Sequence, residues 1–134
     1  MTLKSRARIS AILAITALAG PISALAADVI KVADIDAFSG AFANIGENFL
    51  AHNRMSIDAV NARGGVLRGM RLEIVPIDGK GNPQDSLLAL QQAIDQGVRF
   101  VIQASGSAVA GASSEAIAKH NSRYPDRAVL YLNY

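Results

Sequence analysis

The stretch VIQASGSAVAGASSEAIAKH, residues 101–120, places small and hydroxyl-bearing residues where an apolar run gives way to a helical pattern. A helix N-terminus offers free backbone amides and the positive end of the helix dipole, so it can hold a carboxylate without a cationic side chain. Ser105 and Ser107 add hydroxyl groups that can donate or accept hydrogen bonds, and Gly106 lets a ligand approach the backbone closely. The pattern predicts an anion-binding turn.

The small residues that follow have a second interpretation. Ala108, Ala110, Gly111 and Ala112 would also be small if this helix packed tightly on a sheet. Both interpretations can hold together, with the serines at the mouth of a site and the alanines beneath it. The sequence leaves the two open.

Other reactive side chains do not assemble into a catalytic pattern. Asp34, Asp36 and Asp78 lie near the ends of two apolar runs and could form an acidic pocket, although turn formation and capping are the stronger interpretation. His52 and His120 fall at helical positions, where surface or helix-end locations are expected rather than the role of a base. Zinc spacing, a phosphate-binding loop and a nucleophile with its base are all missing from the sequence. We therefore expect a protein that is not an enzyme and that uses neither a metal nor a cofactor.

The candidate turn belongs to an alternation of strand and helix patterns. Strands are predicted at about 29–35, 70–77, 99–102 and 128–132, and helices at about 44–61, 83–96 and 107–120. Such alternation is typical of an α/β fold with a parallel, doubly wound sheet. Ligands bind such sheets beyond the carboxyl ends of the strands. These ends are the segments around 36–44, 78–82 and 103–107, and from 133 onward.

Periodicity predicts which helix faces are buried. The predicted buried positions are Ile45, Phe49, Ile57 and Val60 in the first helix and Leu87, Leu90 and Ile94 in the second. Asn82 is expected to cap the second helix, with Pro83 at its first position. Pro76 lacks an amide donor, so the second strand should carry it near its end or at a sheet edge.

The first 26 residues have the organisation of a secretory signal peptide. Lys4, Arg6 and Arg8 precede an apolar run at 9–19, Gly20-Pro21 breaks that run, and the A-x-A pattern Ala24 to Ala26 follows. A membrane anchor would need roughly 20 apolar residues, so we expect a cleaved leader at 1–26 and a mature protein that does not span the membrane.

Charge and cysteine content indicate where the mature protein works. The chain of 134 residues has 13 basic and 11 acidic side chains; removing the three basic residues of the leader leaves 10 against 11, a net charge of −1. A nucleic-acid partner is therefore not expected. The sequence contains no cysteine, so it offers neither disulfides nor a site for a lipid anchor. These features predict a freely diffusing periplasmic protein.

The order of several short motifs resembles one family. The motifs are Phe38-Ser39-Gly40, D-x-V-N-x-x-G-G-V from Asp58 to Val66, G-x-x-L-E-I-V from Gly69 to Val75, and D-x-x-x-N-P from Asp78 to Pro83. Together they resemble the periplasmic solute-binding proteins of branched-chain amino acid ABC transporters. The resemblance implies a type I periplasmic-binding fold of two α/β lobes joined by a hinge. Residues 27–134 are then expected to form the N-terminal lobe, incomplete because it is truncated after its fourth strand.

The resemblance also implies a ligand and its contacts. The ligand would be an amino acid or another small carboxylate, delivered to the membrane permease of the transporter. The family's carboxylate-binding serine matches Ser107, or Ser105 if the alignment shifts across Gly106, and Ile45 matches a position that contacts the ligand. Gly106, Ala108, Phe38 and Ser39 complete the predicted ligand-binding set. The alternative function is that of a ligand-sensing lobe fused to a signalling partner.

Overall fold

The computed structural model describes residues 29–104 and 106–134, so the predicted leader and Ser105 lie outside the described residues. The strands are β1 (Val29–Asp36), β2 (Arg71–Asp78), β3 (Phe100–Gln103) and β4 (Leu130–Asn133), and the helices are α1 (Ala43–Ala62), α2 (Pro83–Asp95) and α3 (Ser107–Arg123). Short 3-10 helices at Gly40–Phe42 and Pro125–Arg127 precede α1 and β4. The predicted alternation of strands and helices is confirmed.

The four strands form one parallel sheet in the order β2-β1-β3-β4. Asp36 at the end of β1 pairs with Asp78 at the end of β2, and Gln103 at the end of β3 pairs with Asn133 of β4. The carboxyl ends of all four strands therefore lie along one edge, which we call the carboxyl edge. Pro76 lies in β2, an edge strand, as its missing amide requires.

Helices cover both faces of the sheet, which confirms the doubly wound α/β class. The main core lies between the sheet and the helices α2 and α3. Its buried members are Ala33, Ile35, Ile77, Ala89, Leu90, Ala93, Ile94, Val98, Val101, Ile117 and Val129. Asp34 alternates with Ala33 and Ile35 along β1 and bonds to Asn53 of α1, so α1 lies on the opposite face.

Two predicted buried stripes need correction. Leu90 and Ile94 of α2 are buried, but Leu87 is 36% exposed, because the inward face of α2 centres on the small residues Ser86, Ala89 and Ala93. In α1 the buried residues are Gly46 and Leu50, whereas Ile45 is 43% exposed. Periodicity predicted approximately which face of each helix is buried. Which side chains on that face are buried depends on where small residues bring the helix close to the sheet.

Part of the sheet on the α1 side is uncovered. Phe100, Leu130 and Leu132 are 39%, 54% and 55% exposed, and Ile30, Val32 and Ile102 lie beside them in the same shallow apolar depression. The uncovered surface extends to β4, the last strand of the sheet order.

Within the part of the chain that the structure describes, no helix is long and apolar enough to cross a membrane. The longest helix, α1, has 20 residues and includes the charged residues Glu47, Arg54 and Asp58.

The start of α2 confirms the predicted cap. The Asn82 side chain accepts a hydrogen bond from Asp85 N at 3.0 Å and donates one to Asp85 Oδ2 at 2.7 Å, and Pro83 occupies the first helical position. The hydrogen bond from Asn82, followed by the contact with Lys80, lowers the pKa of Asp85.

Removing this cap should destabilise the fold. We expect Asn82→Ala to lower the free energy of unfolding by about 1 kcal/mol, the usual value for a lost N-cap acceptor. Urea denaturation measures the difference. Asn82→Ser keeps a side-chain acceptor and should retain most of the stability, so equal losses in both variants would mean that the cap bond is not the cause.

Candidate functional site

A cleft of about 350 Å³ opens at the carboxyl edge of the sheet. Its walls combine small residues of three loops with apolar side chains of α1 and the 3-10 helix before it. The lining residues are Ala37, Phe42, Ile45, Gly46, Phe49, Gly81, Ala104 and Gly106. Four of them, Ala37, Gly81, Ala104 and Gly106, follow the ends of β1, β2 and β3, where ligands of parallel α/β sheets bind.

The cleft depends on the close approach of α1 to the end of β1. A Cβ atom added at Gly46 would lie 2.1 Å from the backbone oxygen of Ala37. Gly46 is therefore the position at which the helix touches the loop, and only a hydrogen fits there. This contact places Ile45 and Phe49, on either side of Gly46 in the sequence, at the wall of the cleft.

Asp78 ties the β1 and β2 loops together beside the cleft. Its Oδ1 atom accepts hydrogen bonds from Phe38 N and Lys80 N, both at 2.9 Å. Burial acts to raise the pKa of Asp78, but the hydrogen bonds from the Ser39 side chain and from Lys80 N and Phe38 N outweigh it, so the pKa is lowered. The interpretation of Asp78 as a turn-forming residue is confirmed. Phe38 and Ser39 take part in this loop contact and do not line the cleft.

The strand-to-helix turn after β3 forms the opposite wall. Gly106 is the N-cap of α3 with φ +78°, a conformation that favours glycine, and Ser107 is the first helical residue. The N-cap makes no side-chain hydrogen bond, in contrast to the start of α2. Ser107 and Ala108 are exposed and directly follow Gly106, which lines the cleft.

The structure brings together part of the predicted set and adds residues that sequence reasoning missed. Ile45 and Gly106 lie in one cleft, although they are far apart in the chain. The missed lining residues are Ala37, Phe42, Gly46, Phe49, Gly81 and Ala104. Phe42 and Phe49 flank Ile45 at spacings of three and four, which puts them on one helix face, so a helical-face search around Ile45 would have found them.

Two carboxyl groups lie buried below the cleft. Asp34 is 0% and Asp36 is 1% exposed. The Asp34 Oδ2 atom accepts from Asn53 Nδ2 at 2.9 Å, and the same amide group donates to the Tyr134 hydroxyl at 2.7 Å. Asp36 accepts from Ala104 N, at 3.2 Å to one oxygen and 3.4 Å to the other. Asp34 lies within β1 rather than in a turn, so its interpretation as a turn residue is wrong.

Burial is the main reason that the pKa of Asp34 rises to about 6. The hydrogen bond from Asn53 opposes this rise, the nearby charge of Asp36 adds to it, and Arg54 opposes it more weakly.

A wider groove of about 990 Å³ lies elsewhere, between the later turns of α2 and α3 and the segment Pro125–Arg127. Its walls include exposed charged residues such as Lys119 and Arg123. Because α2 and α3 run away from the carboxyl edge, this groove lies toward the opposite edge of the sheet. His120 lies beside it with Nε2 at 3.0 Å from Arg127 O, and His52 is exposed on α1, so both histidines occupy the expected surface or helix-end positions.

Comparison with known proteins places the chain in one family. Residues 29–131 match the family described as periplasmic binding protein, and the chain belongs to this family. It is 32% identical over 133 residues to Leu/Ile/Val-binding protein homolog 4 of Brucella abortus, an alignment that covers 99% of this chain and 32% of that protein. It is 31% identical over 102 residues to the Leu/Ile/Val-binding protein of Escherichia coli, covering 76% of this chain and 26% of that protein.

A solved structure gives the same assignment. The leucine-, isoleucine-, valine-, threonine- and alanine-binding protein of Brucella ovis, in a closed conformation, superposes with a TM-score of 0.74 at 33% identity, covering 80% of this chain and 27% of that one. The chain thus spans about a third of the length of the curated relatives it matches. The predicted family and fold are confirmed, and the relatives are named as binding proteins rather than enzymes, as expected.

Proposed function

We propose that this chain captures a small carboxylate, most simply an aliphatic amino acid, outside the cytoplasm and delivers it to the permease of an ABC transporter. In this proposal residues 1–26 are a cleaved signal peptide and 27–134 form the N-terminal lobe of the binding protein. The observation that carries it is an apolar cleft whose wall includes Gly106, the N-cap residue of α3.

The start of α3 supplies the contact for the carboxylate. The first amides of a helix have no partner within the helix, and the N-cap residue Gly106 has no side chain that could cap them. They carry the positive end of the helix dipole, which favours an anion. The Ser107 hydroxyl, and that of Ser105 if the register shifts, would add a donor, while Gly106 and Ala108 leave the approach open.

The opposite wall supports an apolar ligand body. Phe42, Ile45 and Phe49 present hydrocarbon surface to the cleft, and its volume of about 350 Å³ is at the small end of the usual range for ligand pockets. An aliphatic side chain would gain from burial there, whereas a charged side chain would lose its hydration. The names of the relatives, which refer to leucine, isoleucine and valine, agree with this division of roles.

The proposal is tested by comparing an acid with its amide. We expect the protein to bind leucine at least tenfold more tightly than leucinamide, because a hydrogen bond to a charged group contributes roughly 1.5–3 kcal/mol and each 1.4 kcal/mol is a factor of ten. Titration calorimetry of the two ligands at one pH and ionic strength gives the ratio. Lysine is the control for the apolar wall and should bind more weakly than leucine.

Equal affinity for leucine and leucinamide would contradict the proposed contact between the start of α3 and the ligand carboxylate. Tighter binding of lysine than of leucine would contradict the role of Phe42, Ile45 and Phe49.

A further inference from the structure

The buried carboxyl groups of Asp34 and Asp36 have a role that the binding cleft does not explain. They are two residues apart on β1, so both side chains lie on the face of the sheet that α1 covers. Asp34 Oδ2 accepts from Asn53, but Asp34 Oδ1 is buried and no donor among the described residues reaches it. The Asp36 side chain interacts with that of Asp34, through its charge and through hydrogen bonding, and both interactions raise the pKa of Asp34.

Two carboxyl groups in this arrangement need a proton. An ionised carboxylate only accepts hydrogen bonds, so two carboxylates can bond to each other only when one of them carries a proton. A buried oxygen without a donor is also unfavourable, and one proton on the pair would satisfy it. Two neighbouring carboxyl groups that are both buried oppose each other's ionisation.

We propose that Asp34 and Asp36 form a proton-binding site beneath the cleft, which holds one shared proton in mildly acidic solution and releases it as the pH approaches neutrality. The pKa of Asp34, raised to about 6 chiefly by burial, agrees with this range.

The charged and titratable groups around the pair are few. From α1, Arg54 favours ionisation of Asp34, though more weakly than burial opposes it. From the end of the sheet, Tyr134 faces the pair; burial and, less strongly, both aspartates raise its pKa, so it is neutral across this range. Tyr131 on β4 behaves in the same way under the influence of burial and then Asp36. Asp78, the register partner of Asp36 on β2, is engaged by its own loop.

The proton site is connected to both walls of the cleft. Asp36 accepts the amide of Ala104, which lines the cleft in the turn after β3. On the other side, Asn53 joins Asp34 to the Tyr134 hydroxyl, and the Tyr134 ring meets Phe49 edge-on with the ring centroids 6.1 Å apart. Loss of the proton would leave two adjacent negative charges between these contacts: each carboxylate would hold its own N–H donor more strongly, while the two carboxylates would repel each other.

The sign of the pH effect follows from linkage. Because the folded-state pKa of Asp34 is raised from 3.8 to about 6, the folded state binds more protons than the unfolded state between these values. The contribution of Asp34 to the free energy of unfolding is therefore fully present below the pKa of the unfolded state. It is lost as the pH rises toward and through about 6.

The test compares the pH dependence of unfolding in the wild type and in Asp34→Asn. Asparagine keeps an acceptor for Asn53 and supplies its own donor toward Asp36, so the variant should lack the pH-dependent step. Between pH 4 and pH 7 we expect the free energy of unfolding of the wild type to fall relative to that of Asp34→Asn. The slope of this difference against pH should correspond to the release of up to one proton per molecule. Asp36→Asn should remove the same step, whereas Asp58→Asn, on the exposed surface of α1, should run parallel to the wild type.

A second measurement needs no folded variant. Infrared spectroscopy of the wild type at pH 5 should show a protonated carboxyl band that disappears between pH 5 and pH 8. The proposal of a shared proton would be contradicted if that band were absent at pH 5. It would also be contradicted if the unfolding of Asp36→Asn depended on pH in the same way as that of the wild type.

Discussion

Replacing Gly46 with alanine should lower the free energy of unfolding by about 1–3 kcal/mol, the usual range for overpacking a tight contact. The added methyl group would lie 2.1 Å from Ala37 O, a backbone atom that cannot rotate away. Either α1 or the loop after β1 must move, and both carry walls of the cleft. The effect should exceed the gain in helix propensity from glycine to alanine.

Gly111 provides the matched control. It also lies inside a helix, in α3, but an added Cβ would meet no atom within 4 Å apart from the nearby backbone of α3 itself. Gly111→Ala should therefore raise the free energy of unfolding by about 0.5–1 kcal/mol, through helix propensity alone. Denaturant titration of both variants tests for opposite signs. A Gly46→Ala protein at least as stable as the wild type would show that α1 does not need its close contact with the β1 loop.

The second large effect concerns ligand affinity. If Ser107 holds the carboxylate as proposed, Ser107→Ala should weaken leucine binding by about ten- to a hundredfold, from roughly 1.5–3 kcal/mol for a hydrogen bond to a charged group. Binding should fall rather than vanish, because the amides and the dipole of α3 are unchanged by the substitution. Calorimetric titration of the variant with leucine measures the loss.

Two further serine variants make this result specific. Ser114 lies on the exposed surface of α3, beyond its first turn, so Ser114→Ala should bind leucine as tightly as the wild type does. Ser105→Ala should have a smaller effect than Ser107→Ala, and the order should reverse if Ser105 is the anchor. Equal affinities in all three variants and the wild type would contradict a carboxylate contact at either serine.

Local signals explain why most of the fold could be predicted. The start of α2 is set within one helical turn by Asn82, Pro83 and Asp85. The cap could therefore be predicted from the sequence, and the structure confirms it. Burial within a helix is set by partners elsewhere in the chain. Leu87 and Ile45 have the right periodicity, yet they stand outside the tightest contact because smaller neighbours bring their helices close to the sheet.

The candidate site was only partly predictable for the same reason. Gly106 was found from the composition of a single turn, and Ile45 from the family resemblance. Ala37 and Gly81 line the same cleft from the ends of two other strands, and their meeting depends on the strand order β2-β1-β3-β4. The burial of Asp34 likewise follows from the length of β1 and the position of α1, neither of which the local sequence around Asp34 specifies.

The central position of β1 has a consequence for how the chain reaches its native state. β1 pairs with β2 on one side and β3 on the other, and each partner follows a helix, so the sheet contains no local hairpin. Each long loop must lose conformational entropy before the strand contacts that stabilise it can form. Folding is therefore slower than in helical domains of similar size. During synthesis β1 is made first, yet neither of its sides can be filled until β2, and then β3, has been made. We therefore expect the sheet to grow outward from β1 in both directions, with β4 added last.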